Sequence, residues 1–185
     1  MFLKKGFTFI ELVVAIAILA LLVSVAIPAF RGQSVEKARS QFISRLNSLS
    51  RTALQNALTT QRLQRIVFDL DKKEVYVEEE AEEAIGKGWD ADQAFSKLYS
   101  PYALGTIKIP KNFEIFNFFI FGKDEMEKRV DHVWYFITPT GLAQEVIINI
   151  EDKNASEDEN QFGLVLNPFS AQFKSYETVQ TPIQV

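Results

Sequence analysis

Residues 1–30 read MFLKKGFTFIELVVAIAILALLVSVAIPAF, and one acidic residue in this stretch lies among apolar ones. Glu11 is the only charged residue between Phe7 and Phe30. A charged side chain at the centre of a membrane costs about 3 kcal/mol or more, so a residue of this kind indicates a function by default. The sequence therefore predicts a positively charged partner for Glu11.

The apolar run 7–30 is 24 residues long. As a helix it would extend about 36 Å, enough to cross a hydrocarbon core of about 30 Å with some tilt. A secretory signal peptide would carry a shorter apolar core and a small-residue cleavage site, whereas here the polar chain resumes at Arg31 without one. The run is therefore predicted to be a transmembrane helix that the mature protein keeps. Basic residues flank it on both sides, so the positive-inside rule leaves its orientation open.

This stretch resembles the class III signal and N-terminal helix of type IV pilins and type II secretion pseudopilins. The resemblance lies in a basic leader that ends at Gly6, the aromatic Phe7, the acidic Glu11 and, near the end of the apolar run, Pro28. In this family an inner-membrane aspartyl prepilin peptidase removes the leader and methylates the new amino terminus. The resemblance implies that residues 1–6 form the leader, that cleavage falls between Gly6 and Phe7, and that Phe7 is N-methylated.

Cleavage after Gly6 would leave an ammonium group on Phe7, which is the kind of partner that an intramembrane carboxylate requires. The resemblance implies that Glu11 pairs with the amino terminus of an adjacent subunit, so that the pair fixes the register of assembly. Pro28 has no N–H group to donate to the carbonyl of Ser24, which predicts a helix kink. The alternative for this stretch is a plain signal anchor that contains a glutamate by chance.

Residues 31–62 are predicted to continue the helix as an amphipathic stalk. Apolar residues recur at helical spacing at Val35, Ala38, Phe42, Leu46, Leu49, Ala53, Leu54, Ala57 and Leu58. The other face is predicted to hold Arg39, Arg45, Arg51, Gln55 and several serines. One stripe of this helix should therefore pack on a sheet while the rest meets water or another subunit.

Charge is divided unevenly along the chain. Residues 31–65 carry seven basic side chains against one acidic one, a balance of +6, whereas residue 66 onward carries eleven basic and twenty-two acidic ones, a balance of −11. We hypothesise that the basic stalk of one subunit lies against the acidic head of a neighbour. A nucleic-acid footprint is the alternative, but the acidic head disfavours it, and so does the lack of aromatic residues interleaved with the arginines on their face of the helix.

The chain has 185 residues, of which 47% are hydrophobic, and this supports one membrane element and one globular head. It contains no cysteine, which excludes a disulfide framework and a thiolate metal site. The head, residues 63–185, should therefore be held by its own core.

After the helix, the spacing of apolar residues changes from the period of a helix to that of a β-strand. LQRIVFDL (63–70) and KEVYVEE (73–79) predict a β-hairpin, with one face formed by Ile66, Phe68 and Leu70 and the other by Arg65, Val67 and Asp69. Residues 78–105 are acidic and punctuated by glycine and proline, which predicts an insertion or loop with one helical turn. Further strands are predicted at TIKIP (106–110), FEIFNFFIF (113–121), VWYFITP (133–139), EVIINI (145–150), LVLN (164–167) and AQFKSYE (171–177).

These elements predict an α+β, pilin-like fold in which the long N-terminal helix packs on an antiparallel β-sheet head. FEIFNFFIF is apolar on both faces, so it is either a central strand covered on both sides or a surface that meets a partner. The head resembles that of the H-type minor pseudopilin and its minor-pilin relatives. This resemblance includes Phe136, Pro139 and Gly141, which are spaced F-x-x-P-x-G in this chain, whereas residues 167–170 lack the glycine with which the family often closes.

Enzyme chemistry is not predicted. The single histidine, His132, has neither a cysteine nor a G-x-S-x-G motif to accompany it. Residues 152–160 resemble the first half of a calcium-binding EF-hand loop, but Glu157 takes the glycine position and Gly163 the glutamate position, so a solvated loop is favoured. No catalytic residue, metal site or cofactor is therefore predicted.

The sequence as a whole predicts a minor pseudopilin, a structural subunit of a type II secretion pseudopilus. The resemblance implies a single-pass inner-membrane protein with its C-terminal head in the periplasm. Its implied partners are other minor pseudopilins, the major pseudopilin, the prepilin peptidase and the inner-membrane secretion platform. A minor pilin of a type IV pilus or competence system is the first alternative. A membrane-anchored periplasmic binding domain that does not polymerise is the second.

Overall fold

The computed structural model describes residues 9–81, 95–98, 105–128, 130–156 and 160–182, and within 23–35 it describes the backbone of the helix only. The chain divides into two compact units, Met1–Ala38 and Arg39–Val185.

The described residues form one long helix and ten strands. They are α1 (Phe9–Thr60), β1 (Gln64–Asp69), β2 (Glu74–Glu80), β3 (Phe95–Lys97), β4 (Ile107–Lys108), β5 (Phe113–Ile120), β6 (Lys123–Asp124), β7 (His132–Ile137), β8 (Val146–Asp152), β9 (Gln161–Asn167) and β10 (Gln172–Tyr176).

Helix α1 ends in a defined cap. The next residue, Gln61, has a φ of 56°, the left-handed conformation that commonly terminates a helix. Its Nε2 donates a 2.8 Å hydrogen bond to the carbonyl of Leu58, one of the last carbonyls that lack a partner within the helix. The helix therefore stops two residues before the predicted end of the stalk at residue 62, because side-chain capping closes it there.

The strands of the described chain form two antiparallel sheets. The first, sheet A, has the order β3-β2-β1-β7, and β4 also pairs with β2. The second, sheet B, has the order β10-β9-β8-β5-β6. A register shift in β5 between Ile115 and Asn117 marks a β-bulge against β8. The predicted α+β class with antiparallel sheets is thus confirmed.

The core of the head lies between the stalk part of α1 and the two sheets. Five helix positions at spacings of three and four are buried, namely Phe42, Leu46, Leu49, Ala53 and Ala57. The Phe42 ring meets Phe113 of sheet B edge-on at 5.7 Å, and Phe68 of sheet A meets Phe118 of sheet B at 5.2 Å. One apolar cluster therefore holds the helix and both sheets together.

The segment between β7 and β8 carries the chain from one sheet to the other. Gly141 has a φ of 83° and donates its N–H to the carbonyl of Thr138 at 2.9 Å. A Cβ placed on Gly141 would lie 3.0 Å from Leu58 Cδ2, so a larger residue would press on the end of the helix. The glycine of the F-x-x-P-x-G segment is therefore required by the turn and by its packing on α1.

Most predicted strands are present, but the prediction for residues 78–105 was wrong in part. Residues 95–97 form β3, which pairs with β2, where a loop with one helical turn was predicted. The remaining residues of that segment from 82 to 94 and from 99 to 104 lie outside the described chain. Three residues of alternating pattern are too few to be recognised from sequence when the stabilising contacts lie elsewhere in the chain.

The predicted hairpin 63–79 forms, but its second face is less open than expected. Val67 is buried because the larger Tyr76 and Trp134 flank it on the neighbouring strands. Asp69 is also buried, beside Lys72 and His132. Side chains alternate between the two faces of β1 as predicted, yet both faces are largely covered.

Candidate assembly site

The first described turns of α1 present apolar side chains to their surroundings. Every large apolar residue from residue 9 to residue 22 is exposed, namely Phe9, Ile10, Leu12, Val13, Val14, Ile16, Ile18, Leu19, Leu21 and Leu22. A helix that is apolar all round is normally buried in lipid or against other protein. The part of α1 before the head is therefore built to be covered by something outside this unit.

Glu11 lies in the first turn of α1 and is exposed. It shares a shallow depression of the helix surface with Ile10, Val14, Ala15 and Ile18. A carboxylate in the first turn also interacts favourably with the helix dipole. The structure thus places Glu11 on the surface of an apolar helix, where a neighbouring chain can reach it.

The described residues include no helix that meets the length and hydropathy of a membrane span.

The structure does not describe the side chains of three residues for which the sequence predicts a role. Gly6 and Phe7, the predicted cleavage and methylation positions, lie outside the described residues. Pro28 lies within the range of α1, but its side chain is not among those described. The leader, the processing site and the kink therefore stay predictions.

The exposed face of the stalk is basic. Arg45 and Arg51 are exposed, and neither makes a hydrogen bond or ion pair to any other described residue. Arg39 was predicted on the same face, but it is half-buried with its guanidinium 4.2 Å from the centre of the Phe162 ring. Several serines were predicted on this face without being named, and one serine of the stalk, Ser50, is buried. Two arginines of the stalk are thus available for contacts outside the chain.

Glu79 joins the end of the stalk to the hairpin. Its Oε2 accepts hydrogen bonds from Asn56 Nδ2 at 2.5 Å, Thr60 Oγ1 at 3.2 Å and Gln64 Nε2 at 2.9 Å. Its Oε1 lies 3.3 Å from Arg62 Nη1. A carboxylate with several donors fixes its neighbours more firmly than a neutral hydrogen bond does. Glu79 therefore holds α1, the following turn and β2 in one arrangement.

Asn47 joins the middle of the stalk to the free edge of β10. Its Nδ2 donates to the carbonyl of Phe173 at 3.1 Å, and its Oδ1 accepts the Phe173 N–H at 2.6 Å. The carboxamide thus pairs with the main chain as a neighbouring strand would, which covers part of a sheet edge.

Asp69 is nearly inaccessible, and its carboxylate has three polar contacts with two residues, Lys72 and His132. Its Oδ1 accepts the Lys72 N–H at 2.8 Å, and its Oδ2 lies 2.9 Å from Lys72 Nζ and 3.3 Å from His132 Nε2. Burial raises the pKa of Asp69, but the Lys72 hydrogen bonds and the nearby charges outweigh it and hold this pKa below its ordinary value. His132 therefore accompanies a structural carboxylate rather than a nucleophile.

Tyr135 is fully buried on β7, and its hydroxyl lies 2.9 Å from Ser50 Oγ on α1. Burial raises the pKa of the Tyr135 phenol well above its ordinary value, although the Ser50 hydrogen bond opposes this. The phenol thus stays protonated, and the pair links helix and sheet through a neutral hydrogen bond.

Arg65 organises the outer face of sheet A. Its guanidinium lies 4.4 Å from the centre of the Phe95 ring and 5.2 Å from that of Trp134, and its Nε donates to Glu78 Oε2 at 2.5 Å. Phe95 also lies 5.8 Å from Phe136, the phenylalanine of the F-x-x-P-x-G segment. These contacts explain why the short strand β3 forms.

The described part of residues 152–160 does not assemble a metal site. Asp152 is buried, and its Oδ1 accepts hydrogen bonds from Asn112 Nδ2 at 2.5 Å and from the Asn154 N–H at 3.0 Å. Residues 157–159 lie outside the described chain. Elsewhere in the described residues, no three acidic or histidine side chains are grouped so that they could hold a metal ion.

Residues 1–27 match the family described as the prokaryotic N-terminal methylation motif. This confirms the predicted resemblance of the N-terminus to type IV pilins and pseudopilins. No curated protein matches the chain by sequence.

The chain is also similar to two solved structures of the minor pseudopilin EpsH from the type II secretion system of Vibrio cholerae. The first is 15% identical with a TM-score of 0.46, and the match covers 76% of this chain and 93% of that one. The second is 13% identical with a TM-score of 0.47, covering 84% and 99%.

Two polar positions that link elements of the head escaped the sequence analysis. Asn47 directly follows Leu46, which was predicted to be buried and is. Its position beside a core residue was the only indication in the sequence that its side chain bonds within the head. Asn149 is the polar residue within the apolar run VIINI and is fully buried. A lone carboxamide in an apolar element indicates a specific hydrogen-bond partner, but the partner cannot be named from sequence.

Proposed function

We propose that this chain is a minor pseudopilin, a structural subunit of a type II secretion pseudopilus. The observation that carries the proposal is the methylation motif over residues 1–27, joined to a helix whose apolar side chains are exposed. The chain would act by packing: apolar N-terminal helices bundle, and the heads form the outer surface. No step of this function requires a catalytic residue or a cofactor.

The first part of the proposal concerns maturation. A prepilin peptidase would cleave between Gly6 and Phe7 and methylate Phe7, so that residues 7–30 anchor the chain in the inner membrane with the head in the periplasm. The positive charge at the new amino terminus would then lie four residues before Glu11 in sequence.

The second part concerns assembly. Glu11 of one subunit would pair with the amino terminus of its neighbour's Phe7, since a carboxylate in an apolar bundle is stable only beside a positive charge. Its exposed position on α1 supports this pairing between chains. The exposed Arg45 and Arg51 would meet the acidic head of an adjacent pseudopilin and orient it.

Mass spectrometry of the protein purified from the membranes of its natural host tests the proposal. The expected N-terminal peptide begins at N-methylated Phe7, and a Gly6→Val variant should keep its leader because the added side chain obstructs the peptidase. A Gly32→Val variant is the matched control and should be processed normally. Recovery of the unmodified chain beginning at Met1 would favour the non-polymerising anchor instead.

Deletion of the gene distinguishes the two filament hypotheses, a pseudopilin of a type II secretion system and a minor pilin of a type IV pilus or competence system. Loss of protein secretion with normal surface pili supports the pseudopilin, whereas loss of pili or of DNA uptake with normal secretion supports a minor pilin. The Phe136–Pro139–Gly141 pattern of the head is the sequence feature that favours the H-type minor pseudopilin.

A further inference from the structure

Residues 178–182 cross the outer face of sheet B, and we call this segment the C-terminal strap. Beneath it lies one transverse row of the sheet, in which Asn117 of β5 is the register partner of Asn149 of β8, and Asn149 that of Gly163 of β9. We call these three residues the strap groove. The strap forms no regular secondary structure, so its position depends on contacts with the groove.

Asn149 binds the main chain of the strap at two points. Its Nδ2 donates to the carbonyl of Gln180 at 2.9 Å, and its Oδ1 accepts the Gln180 N–H at 2.9 Å. The same Nδ2 lies 3.3 Å from Asn117 Oδ1, which orients the carboxamide. Because both bonds are made to the peptide backbone, Asn149 recognises an extended chain rather than a particular side chain.

Gly163 allows the strap to approach. A Cβ on Gly163 would lie 2.5 Å from Gln180 Cγ and 2.8 Å from the Thr178 carbonyl oxygen, both closer than real Cβ contacts. At the other end, a Cβ on Gly122 would lie 3.7 Å from Pro182 Cβ, so the strap reaches the turn between β5 and β6. A glycine inside a strand commonly marks such a close approach of another backbone.

The groove is shaped for a peptide segment. With the strap in place Asn149 is fully buried, so its carboxamide depends on the Gln180 backbone for two of its hydrogen bonds. The strap is held at few points, since Gln180 is the only described residue of the strap that hydrogen-bonds to the groove. Another segment that offers a peptide N–H and carbonyl to Asn149 can therefore take its place, and the segment known to fit is this one.

We propose that the strap groove is an exchangeable docking site that accepts the C-terminal strap of a second copy of this chain. Within one chain the strap is favoured by its tether, whose effective concentration is of the order of millimolar. Exchange therefore requires copies that are held close together or a groove whose own strap is absent. The inference concerns the head alone and does not depend on the proposed function.

The absence of cysteine from the sequence allows a direct test by disulfide trapping. An acceptor chain ends at Glu177 and carries Gly122→Cys, and a full-length donor chain carries Pro182→Cys. Both are purified in detergent and mixed under mild oxidation. The 3.7 Å separation of the two Cβ positions lies within the range for a disulfide. A full-length chain carrying both substitutions should close an internal disulfide, which shows that the two positions can react.

The expected result is a covalent acceptor–donor dimer that forms about tenfold faster than with a collision control, a donor carrying Asp71→Cys instead of Pro182→Cys. Adding Gly163→Ala to the acceptor should slow capture to the control rate. This acceptor should still fold, because the two closest atoms to the added Cβ belong to the strap, which the acceptor lacks. Far-ultraviolet circular dichroism of each acceptor verifies this.

A second arm keeps both chains at full length. Chains carrying Gly122→Cys and Pro182→Cys separately are co-expressed, so that strap exchange can occur as the two heads fold. Dimers in this arm support exchange between complete copies even if the shortened acceptor is unfolded. Closure of the double variant with no dimer above the collision control in either arm would overturn the proposal and leave the strap a fixed internal segment. Capture unaffected by Gly163→Ala would also overturn it.

Discussion

The hydroxyl groups of Ser50 and Tyr135 lie 2.9 Å apart inside the head and join α1 to β7. Both residues are completely buried, and the hydrogen bond bridges 85 positions of sequence. Around it, Phe68 and Phe173 contact the Tyr135 ring at centroid distances of 6.4 Å and 6.0 Å. A single polar contact thus sits within the apolar cluster and selects one way of placing the helix on the sheet.

We expect Tyr135→Phe and Ser50→Ala each to lower the free energy of unfolding by about 1 to 2 kcal/mol. The first leaves the buried Ser50 hydroxyl without its partner, and the second leaves the buried Tyr135 hydroxyl without its partner. The double variant should lose less than the sum, with a coupling of about 1 kcal/mol, since the second change removes the orphaned group. Urea unfolding of the four proteins measures this. Strictly additive losses would mean that the two hydroxyls do not interact.

The Asp69 carboxylate predicts a dependence of stability on acid. Its pKa in the folded protein is below the ordinary value of 3.8, so its ionised form stabilises the fold at neutral pH. This contribution is present above the unfolded pKa and is lost as the pH falls through the lower folded pKa. Asp69→Asn should therefore cost about 1 to 2 kcal/mol at pH 7, because it removes the charge-assisted bond to Lys72 Nζ.

The difference between the wild-type protein and Asp69→Asn should shrink as the pH is lowered below about 4, where the wild-type carboxyl also becomes protonated. Denaturant unfolding at several pH values measures it. Asp71→Asn is the matched control, since Asp71 is exposed in the same turn, and its effect should stay small throughout. A constant loss from pH 7 to pH 2 would contradict the assigned role of the Asp69 charge.

Asn47→Ala should destabilise the head by about 1 to 3 kcal/mol, because it leaves the N–H and carbonyl of Phe173 without their partner. Hydrogen exchange at the Phe173 amide should increase at the same time. The control is Ser48→Ala on the exposed face, where the hydroxyl bonds only to the Ser44 carbonyl of its own helix. If both variants unfolded at the same denaturant concentration, the two hydrogen bonds between Asn47 and Phe173 would make no net contribution to the free energy of unfolding.

Much of the architecture follows from local periodicity. The helical spacing of apolar residues predicted the buried face of α1. Of the described members of that stripe, five are buried (Phe42, Leu46, Leu49, Ala53 and Ala57), Ala38 and Leu54 are half-buried, and Leu58 is exposed. Alternation along β1 and β2 predicted the hairpin because each strand has one face in the core. Such patterns can be read from sequence since neighbouring residues share the same environment.

The remaining features depend on contacts between distant parts of the chain. Strand β3 forms because Phe95 packs on Arg65 and Phe136, which are 30 and 41 positions away in sequence. Ser50 and Asn149 are polar types that normally face water, and they are buried because Tyr135 and Gln180 supply their hydrogen bonds. A sequence does not reveal which distant residue will satisfy a buried polar group.

The basic face of the stalk predicts a salt-dependent contact between subunits. Reversing Arg45 and Arg51 to glutamate should reduce co-purification of partner pseudopilins at low salt, with the difference fading as ionic strength rises. A matched variant reverses two exposed lysines of the head, Lys111 and Lys128, and changes the net charge equally. Unchanged co-purification of the arginine variant at low salt would remove the stalk from the interface, and an equal loss in both variants would point to net charge alone.

The last prediction concerns Glu11, on which the assembly hypothesis depends. Glu11→Val should insert into the membrane at least as well as the wild-type chain, because a charge that costs about 3 kcal/mol at mid-membrane has been removed. Incorporation into filaments should fail, since the amino terminus of the neighbouring subunit would lose its counter-charge and remain buried and unpaired. Membrane fractionation and cross-linking of assembled subunits measure the two effects separately.

Glu36→Val provides the control for this change, because Glu36 is an exposed carboxylate on the same helix and outside the apolar run. It should leave both insertion and assembly near wild-type levels. The physical argument requires the two effects of Glu11→Val to diverge, since the same charge opposes insertion of one chain and favours pairing of two. Normal assembly by Glu11→Val would show that the carboxylate has no partner in the filament, and loss of insertion would show that it acts before assembly.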